Sequence, residues 1–128
     1  MLAHKGHIKM HPIKAHVNHD GQGEVHPFVK IHFQHSDWES SHHKGHNVEW
    51  NGHEHWEHKV EHTEHEIEIW LKDHEGIFHG PDKFIGHAKF NIGKLTHQHG
   101  EWEERVDVHR EGHEAGHIIF RMHFQREH

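Results

Sequence analysis

The chain has 128 residues, no cysteine, and a formal charge of −7 with histidine neutral. That length suits one domain, residues 1-128, and the missing cysteine excludes disulfide staples and thiolate metal sites. Only 30% of the residues are hydrophobic, but five Trp and seven Phe supply enough buriable ring area for a small packed core.

Apolar residues alternate with polar ones along almost the whole chain, the signature of half-buried β-strands. Ile8 and Met10 alternate with His7, Lys9 and His11. After Pro12 the phase shifts to Ile13, Ala15 and Val17, which predicts a bulge near the proline. Val29, Ile31 and Phe33 form the next run, and the stretch around Trp50, Trp56 and Val60 supplies one or two more strands. Ile67, Ile69 and Leu71 follow, then Ala88, Phe90 and Ile92, then Trp102, Val106 and Val108, and last Ile118, Phe120, Met122 and Phe124. Turn signals separate the runs at Asp20-Gly21, Ser36-Asp37, Asn51-Gly52, Glu75-Gly76, Gly80-Pro81 and Glu111-Gly112. Roughly eight short strands with regular punctuation and no sustained helical period predict an all-β, antiparallel β-sandwich.

Histidine accounts for 26 residues, scattered through the chain. Its unperturbed pKa of roughly 6.5 lies in the physiological range. Protonating all of them would carry the formal charge from −7 to +19. Most strand histidines, namely His7, His11, His32, His87, His117 and His123, fall on the polar phase and are expected in solvent. His58 shares the parity of Trp56 and Val60, which leaves open whether it points inward or marks an irregular strand. The even spread over polar positions is what an engineered surface would show, with no native compartment implied; a natural His-rich lineage is the alternative.

Four segments, in order, resemble a C2 domain. Gly23-Glu24-Val25-His26-Pro27-Phe28-Val29-Lys30-Ile31 is similar to that family's Gly-x-x-Asp-Pro-Tyr-Val-x-Val. Asn47-Val48-Glu49-Trp50-Asn51 resembles its Asn-Pro-x-Trp-Asn. The run Ile67 to Glu75 resembles the strand that enters its third calcium-binding loop, and Phe84-Ile85-Gly86 matches the Phe-Ile-Gly after that loop. The resemblance implies an eight-stranded sandwich with one strand before the first loop, as in the permuted, type II order. It also implies a peripheral, non-enzymatic module that binds anionic phospholipid surfaces through calcium held between loops.

Residue by residue, the resemblance places Asp20 at the first loop's leading aspartate and His26 where an aspartate precedes proline. Asp73 and Glu75 stand at the first two carboxylate positions of the third loop, and Lys83, with Asp82 beside it, at the last. A nitrogen at His26 and a cation at Lys83 suit calcium poorly, since it favours about six to eight oxygens. Calcium binding is therefore expected to be weak or absent. Ile77-Phe78, between Gly76 and Gly80, is the expected membrane-insertion tip, with folding back over the sandwich end as the alternative. No basic strand surface is legible, because 14 Lys and Arg stand against 21 acids. Attraction to anionic lipid would then come from protonated histidine and grow as pH falls.

On a strand, residues two apart share a face about 6–7 Å from one another. His53 with His55, and His97 with His99, have that spacing, and His42-His43 and His62 with His65 add local pairs. Zinc, copper or nickel would bind them only adventitiously, at several weak sites. Nucleophilic catalysis has no support, since Ser36, Ser40 and Ser41 lie in a polar stretch. No phosphate loop occurs, and the negative charge disfavours specific nucleic acid, although polyanions would bind at acid pH. With no apolar run of membrane-spanning length and no apolar signal core at the N-terminus, the expectation is a monomer in the cytoplasm or at a membrane surface. A His-based pH sensor or polyanion binder, or a transition-metal scaffold, are the alternatives to a lipid-binding module.

Overall fold

A computed structural model describes residues 4–18, 24–61, 65–75 and 83–127. These form β1 (Gly6–Val17), β2 (Pro27–Phe33), β3 (Ser36–Glu39), β4 (Asn47–Glu49), β5 (Trp56–Val60), β6 (Glu66–Asp73), β7 (Lys83–Asn91), β8 (Gly100–Arg110) and β9 (His113–Arg126), with a 3₁₀ turn at Ile92–Leu95. The strands pair antiparallel in the order β3-β2-β6-β7-β8-β9-β1-β4, and β5 also lies on β1. The β4 and β5 segments share one edge of β1: Asn47–Glu49 faces His16–Lys14, and Trp56–Val60 faces Met10–Gly6. They are one strand position interrupted by a loop, so nine segments fill the eight expected positions. One strand precedes the first loop, as the resemblance required, and it sits between β9 and β4.

The hydrogen-bonded path curls over on itself. Its two halves meet between β7 and β8 through a single residue pair, His87 with His109. Inward residues of both halves form one cluster that includes Val29, Ile31, Ile69 and Leu71 from one side and Ile8, Met10, Phe120 and Met122 from the other. Burying each of these contributes about 1.5–3 kcal/mol. Among the described residues, the only polar side chain in the fully buried set is Thr96. Its hydroxyl donates to the Gly93 carbonyl at 3.2 Å and accepts the His4 amide at 3.0 Å.

Local departures from strict alternation have identifiable causes. The register of β1 against β9 shifts between Pro12 and Lys14, as the phase break predicts. Pro12 keeps the buried phase of Ile8 and Met10, however, and Ile13 is the extra, half-buried residue of the bulge. Ser36-Asp37 is not a turn but the start of β3. The turn is Gln34-His35, where Gln34 takes φ 56° and Phe33 pairs with Ser36. Glu111-Gly112 forms the β8–β9 turn with φ values of 52° and 80°, the doubly left-handed geometry that suits a two-residue hairpin. His58 does face inward. Its ring lies 5.1 Å from Phe33 and stacks on Trp56 at 5.9 Å, while Nδ1 donates to the Lys59 carbonyl at 2.6 Å.

No described histidine is fully buried, and many on the polar phase are half-covered rather than free in solvent. His11 is one of these, with Nδ1 2.9 Å from the Gly52 carbonyl. Burial lowers its pKa; the Gly52 bond opposes this, and the charges of Arg121, His55 and Lys9 add to the lowering. Burial, followed by Arg105 and His16, likewise lowers the pKa of His117.

Gly86, the last residue of the Phe-Ile-Gly segment, lies where the two halves of the sheet press together. A Cβ there would sit 2.8 Å from Val108 Cγ2 and 3.1 Å from Ala115 Cβ. Gly86→Ala should therefore lower unfolding free energy by about 1–3 kcal/mol through overpacking, read by chemical denaturation. A second expectation concerns pH. For His11 and His117 the folded pKa lies below the unfolded one, so the folded chain binds protons less readily. Stability is then full above roughly pH 6.5 and declines as pH falls through the folded pKa. The melting temperature should be lower at pH 5.5 than at 7.5, and His11→Gln should narrow that gap.

Candidate functional site

The ends of β1 and β6 and the starts of β2 and β7 converge at one end of the sandwich, next to the β8–β9 turn. They enclose a cleft of about 480 Å³ whose lining includes Asn18, Glu24, Asp73, Glu75, Lys83 and Arg110. Asp73 Oδ1 accepts the backbone N–H of His26 at 2.7 Å, and the His74 N–H donates to the His26 carbonyl at 3.0 Å. These two bonds tie the first loop to the third. Glu75, largely covered, faces Lys83 Nζ at 3.3 Å. Glu24 is paired with Lys44 Nζ at 2.7 Å, and that bond holds its carboxyl below the usual range. Above this end the His42 and His74 rings stack at 4.0 Å, with His26 edge-on to His42 at 6.3 Å.

Of the calcium-loop positions inferred from the sequence, Asp73, Glu75 and Lys83 line this cleft, His26 lies beside it through its backbone bonds to Asp73 and His74, and Asp20 and Asp82 lie outside the described residues. So does the Ile77-Phe78 tip. Glu24, Asp73 and Glu75 are each engaged by a donor of the chain itself, and Lys83 and Arg110 bring positive charge into the cleft. Among the described residues, no three His or carboxylate donors at this end lie within 4.8 Å of one another.

The paired histidines are placed differently from the sequence expectation. Residues 53–55 lie in the loop between β4 and β5, and residues 97–99 lie in a bend after the 3₁₀ turn. Neither pair is on a strand, so the period-two rule does not put their rings on a common face. His55 Nδ1 lies 3.4 Å from the His53 carbonyl, and its Nε2 lies 3.5 Å from Glu57. The His97 ring lies edge-on to His4, and His99 Nδ1 accepts the Arg126 amide at 3.5 Å. Among the described residues of the other two pairs, His42 stacks on His74 rather than chelating with His43, while His62 is undescribed.

A basic groove that charge totals conceal crosses the outer face of β2, β6 and β7. Lys30, Trp70 and His87 are successive cross-strand neighbours, as are Lys72 and Phe84. Lys30 Nζ lies 5.4 Å over the Trp70 ring, and His87 stacks on its indole at 4.8 Å. The groove, of about 370 Å³, is lined by Lys30, Trp70, Lys72, Phe84 and His87. A register shift opposite Leu71 and Lys72 brings Phe84 rather than Ile85 across from Lys72. Phe84 is the only large apolar side chain among the described residues that stands exposed, at 38%. Lys30 and Lys72 were visible in the sequence as polar-phase residues of two separate strands; their adjacency depended on the pairing of β2 with β6.

A curled antiparallel sandwich with a polar, loop-built cleft at one end defines a class of β-sheet binding domain. Residues 5–105 match the C2 domain family, and the chain belongs to it. The first of the C2 domains of plant extended synaptotagmin 1, domain A, superposes with a TM-score of 0.76 at 17% identity, covering 96% of each chain. A structure of extended synaptotagmin 2 with its A and B C2 domains, calcium bound, gives a TM-score of 0.73 at 21% identity over 97% of this chain. Human GIVD cytosolic phospholipase A2 gives a TM-score of 0.72 at 10% identity over 99% of this chain. This chain spans 47% of that synaptotagmin chain and 18% of the phospholipase. No curated protein sequence matches the chain. C2 domains are typically membrane-, lipid- and calcium-binding modules and are generally non-catalytic. Among the described residues, no helix is long and apolar enough to cross a membrane.

The contact that defines the loop end is the one between Asp73 and His26. Asp73→Ala would leave a partly buried amide without its charged acceptor, and a hydrogen bond to a charged group contributes about 1.5–3 kcal/mol. The variant should be destabilised by about that amount in a denaturant titration, and its His26 amide should exchange with solvent faster.

Proposed function

We propose that this C2 domain is a peripheral module for anionic phospholipid surfaces, held by charge at the groove of β2, β6 and β7 rather than by calcium at the loop end. The observation that carries this reading is the gathering of Lys30, Lys72 and His87 with Trp70 in the lining of one groove, where Phe84 stands exposed. The Lys30 ammonium over Trp70, with the Lys72 ammonium 6.0 Å over the neighbouring Phe28 ring, suits a phosphate headgroup with its attached glycerol. His87 stacks on the same floor, with its Nε2 buried beneath the groove. The Ile77-Phe78 tip inserts among the acyl chains, each side chain contributing up to about 1.5–3 kcal/mol. Calcium affinity is weak, because Lys83 and Arg110 lie among the carboxylates that would hold the ion.

Sedimentation with vesicles of phosphatidylcholine and phosphatidylserine, at pH 7.5 and 6.0, with and without calcium, tests this. Binding should not need calcium and should strengthen at pH 6.0. Each lysine near an anionic surface contributes about 1 kcal/mol, so Lys30→Gln with Lys72→Gln should weaken binding on the order of 10-fold or more. Binding that appears only with calcium, or that is indifferent to the double substitution, would show that the loop end carries the function instead.

A further inference from the structure

A second cluster of metal-ligating side chains stands on the outer face of β8 and β9, away from the groove just described. Asp107 on β8 and His117 on β9 are direct cross-strand partners. Glu114 joins them through a bulge. The pairing passes from Val108 with Gly116 to His109 with Glu114, so Ala115 is the extra residue. That one-residue slip turns Glu114 onto the same face as His117, although the two are three positions apart. One ligand atom from each of Asp107, Glu114 and His117 lies within 4.8 Å of the other two, and no other such trio occurs among the described residues.

The neighbouring strands continue the row. His117 is paired with His16 on β1, and His16 with Asn47 on β4. The two imidazoles lie 5.6 Å apart. His16 Nδ1 is 2.7 Å from Asn47 Oδ1, an oxygen that can only accept, so His16 carries a proton on Nδ1. The cation already at the cluster is Arg105, which reaches Asp107 through Nε at 2.8 Å and Glu114 through a terminal nitrogen at 3.4 Å. All three of these partners are exposed, and exposed ion pairs are worth about 0–1 kcal/mol. A divalent ion can displace the guanidinium from both carboxylates at small cost.

We propose that Asp107, Glu114 and His117 form a binding site for one zinc-class divalent ion, with water completing its coordination. One imidazole nitrogen and two carboxylate oxygens match the mixed N/O, four-coordinate preference of zinc and lack the all-oxygen shell of calcium. Zinc bonds of about 2.0–2.2 Å place ligand atoms roughly 3.3 Å apart, which rotation of the exposed Asp107 and Glu114 side chains supplies. Arg105 then serves as the resident counter-ion of the metal-free cluster.

Calorimetric titration of the full chain with zinc chloride, in a non-chelating buffer at pH 7.5, tests the site against the background of other histidines. One event should stand at least 10-fold tighter than the remaining weak binding. His117→Gln and Glu114→Gln should each weaken that event by 10-fold or more, whereas His53→Gln with His55→Gln should leave it unchanged. Arg105→Gln should tighten it severalfold by removing the competing cation. Glu114 is exposed, so its variant keeps the test valid if His117→Gln unfolds, as circular dichroism would show. Survival of the tight event in Glu114→Gln, loss of affinity in Arg105→Gln, or a titration of uniformly weak sites would overturn the assignment.

Discussion

The strict separation of apolar and polar side chains onto opposite faces of each strand is the constraint on which the rest of this structure depends. With under a third of its residues hydrophobic, the chain has no apolar side chain to spare, and nearly every one on the inward phase is buried. A one-residue slip anywhere would exchange a Phe or Ile for a Lys or His in the core. The bulges are therefore placed where they change which side chain faces outward without disturbing the apolar row. Ile13 absorbs the slip in β1, and the extra Ile85 and Ala115 do the same in β7 and β9.

The outer faces that result are not uniform coats of charge. The net −7 arises from acids and bases sorted by strand pairing into distinct patches. One half of the sheet gathers Lys30, Lys72 and His87 around Trp70, and the other gathers Asp107, Glu114 and His117 around Arg105. Cross-strand neighbours about 5 Å apart interact strongly enough to give each patch its own character, whatever the sum over the molecule. A half-covered histidine sits in each patch, His87 against Trp70 and His117 beside Asp107.

At the loop end the same family architecture is used differently. Asp73 fixes the first loop by accepting the His26 amide, and Lys83 and Lys44 neutralise Glu75 and Glu24. Carboxylates paired within the chain tie the described parts of these loops together.

Period-two alternation and turn residues were enough to establish from sequence the all-β class and most strand positions, because burial on one face of a strand is a local pattern, and the ordered Asn-x-x-Trp-Asn and Phe-Ile-Gly segments pointed to the C2 family; β3 was missed because its Ser36-Asp37 start reads as a turn. His26, Asp73 and Glu75 were legible as loop-end residues only through the resemblance of their segments to the C2 loop motifs. The spacing of His53 with His55 and of His97 with His99 was misleading, since a two-residue interval means a shared face only on a strand, and both pairs lie in irregular loops. The Lys30–Trp70–Lys72 groove and the Asp107–Glu114–His117 cluster were decided by tertiary structure alone. Each joins residues from different strands, and the register and bulges that bring them together are set by how the apolar faces pack, which no local window of sequence contains.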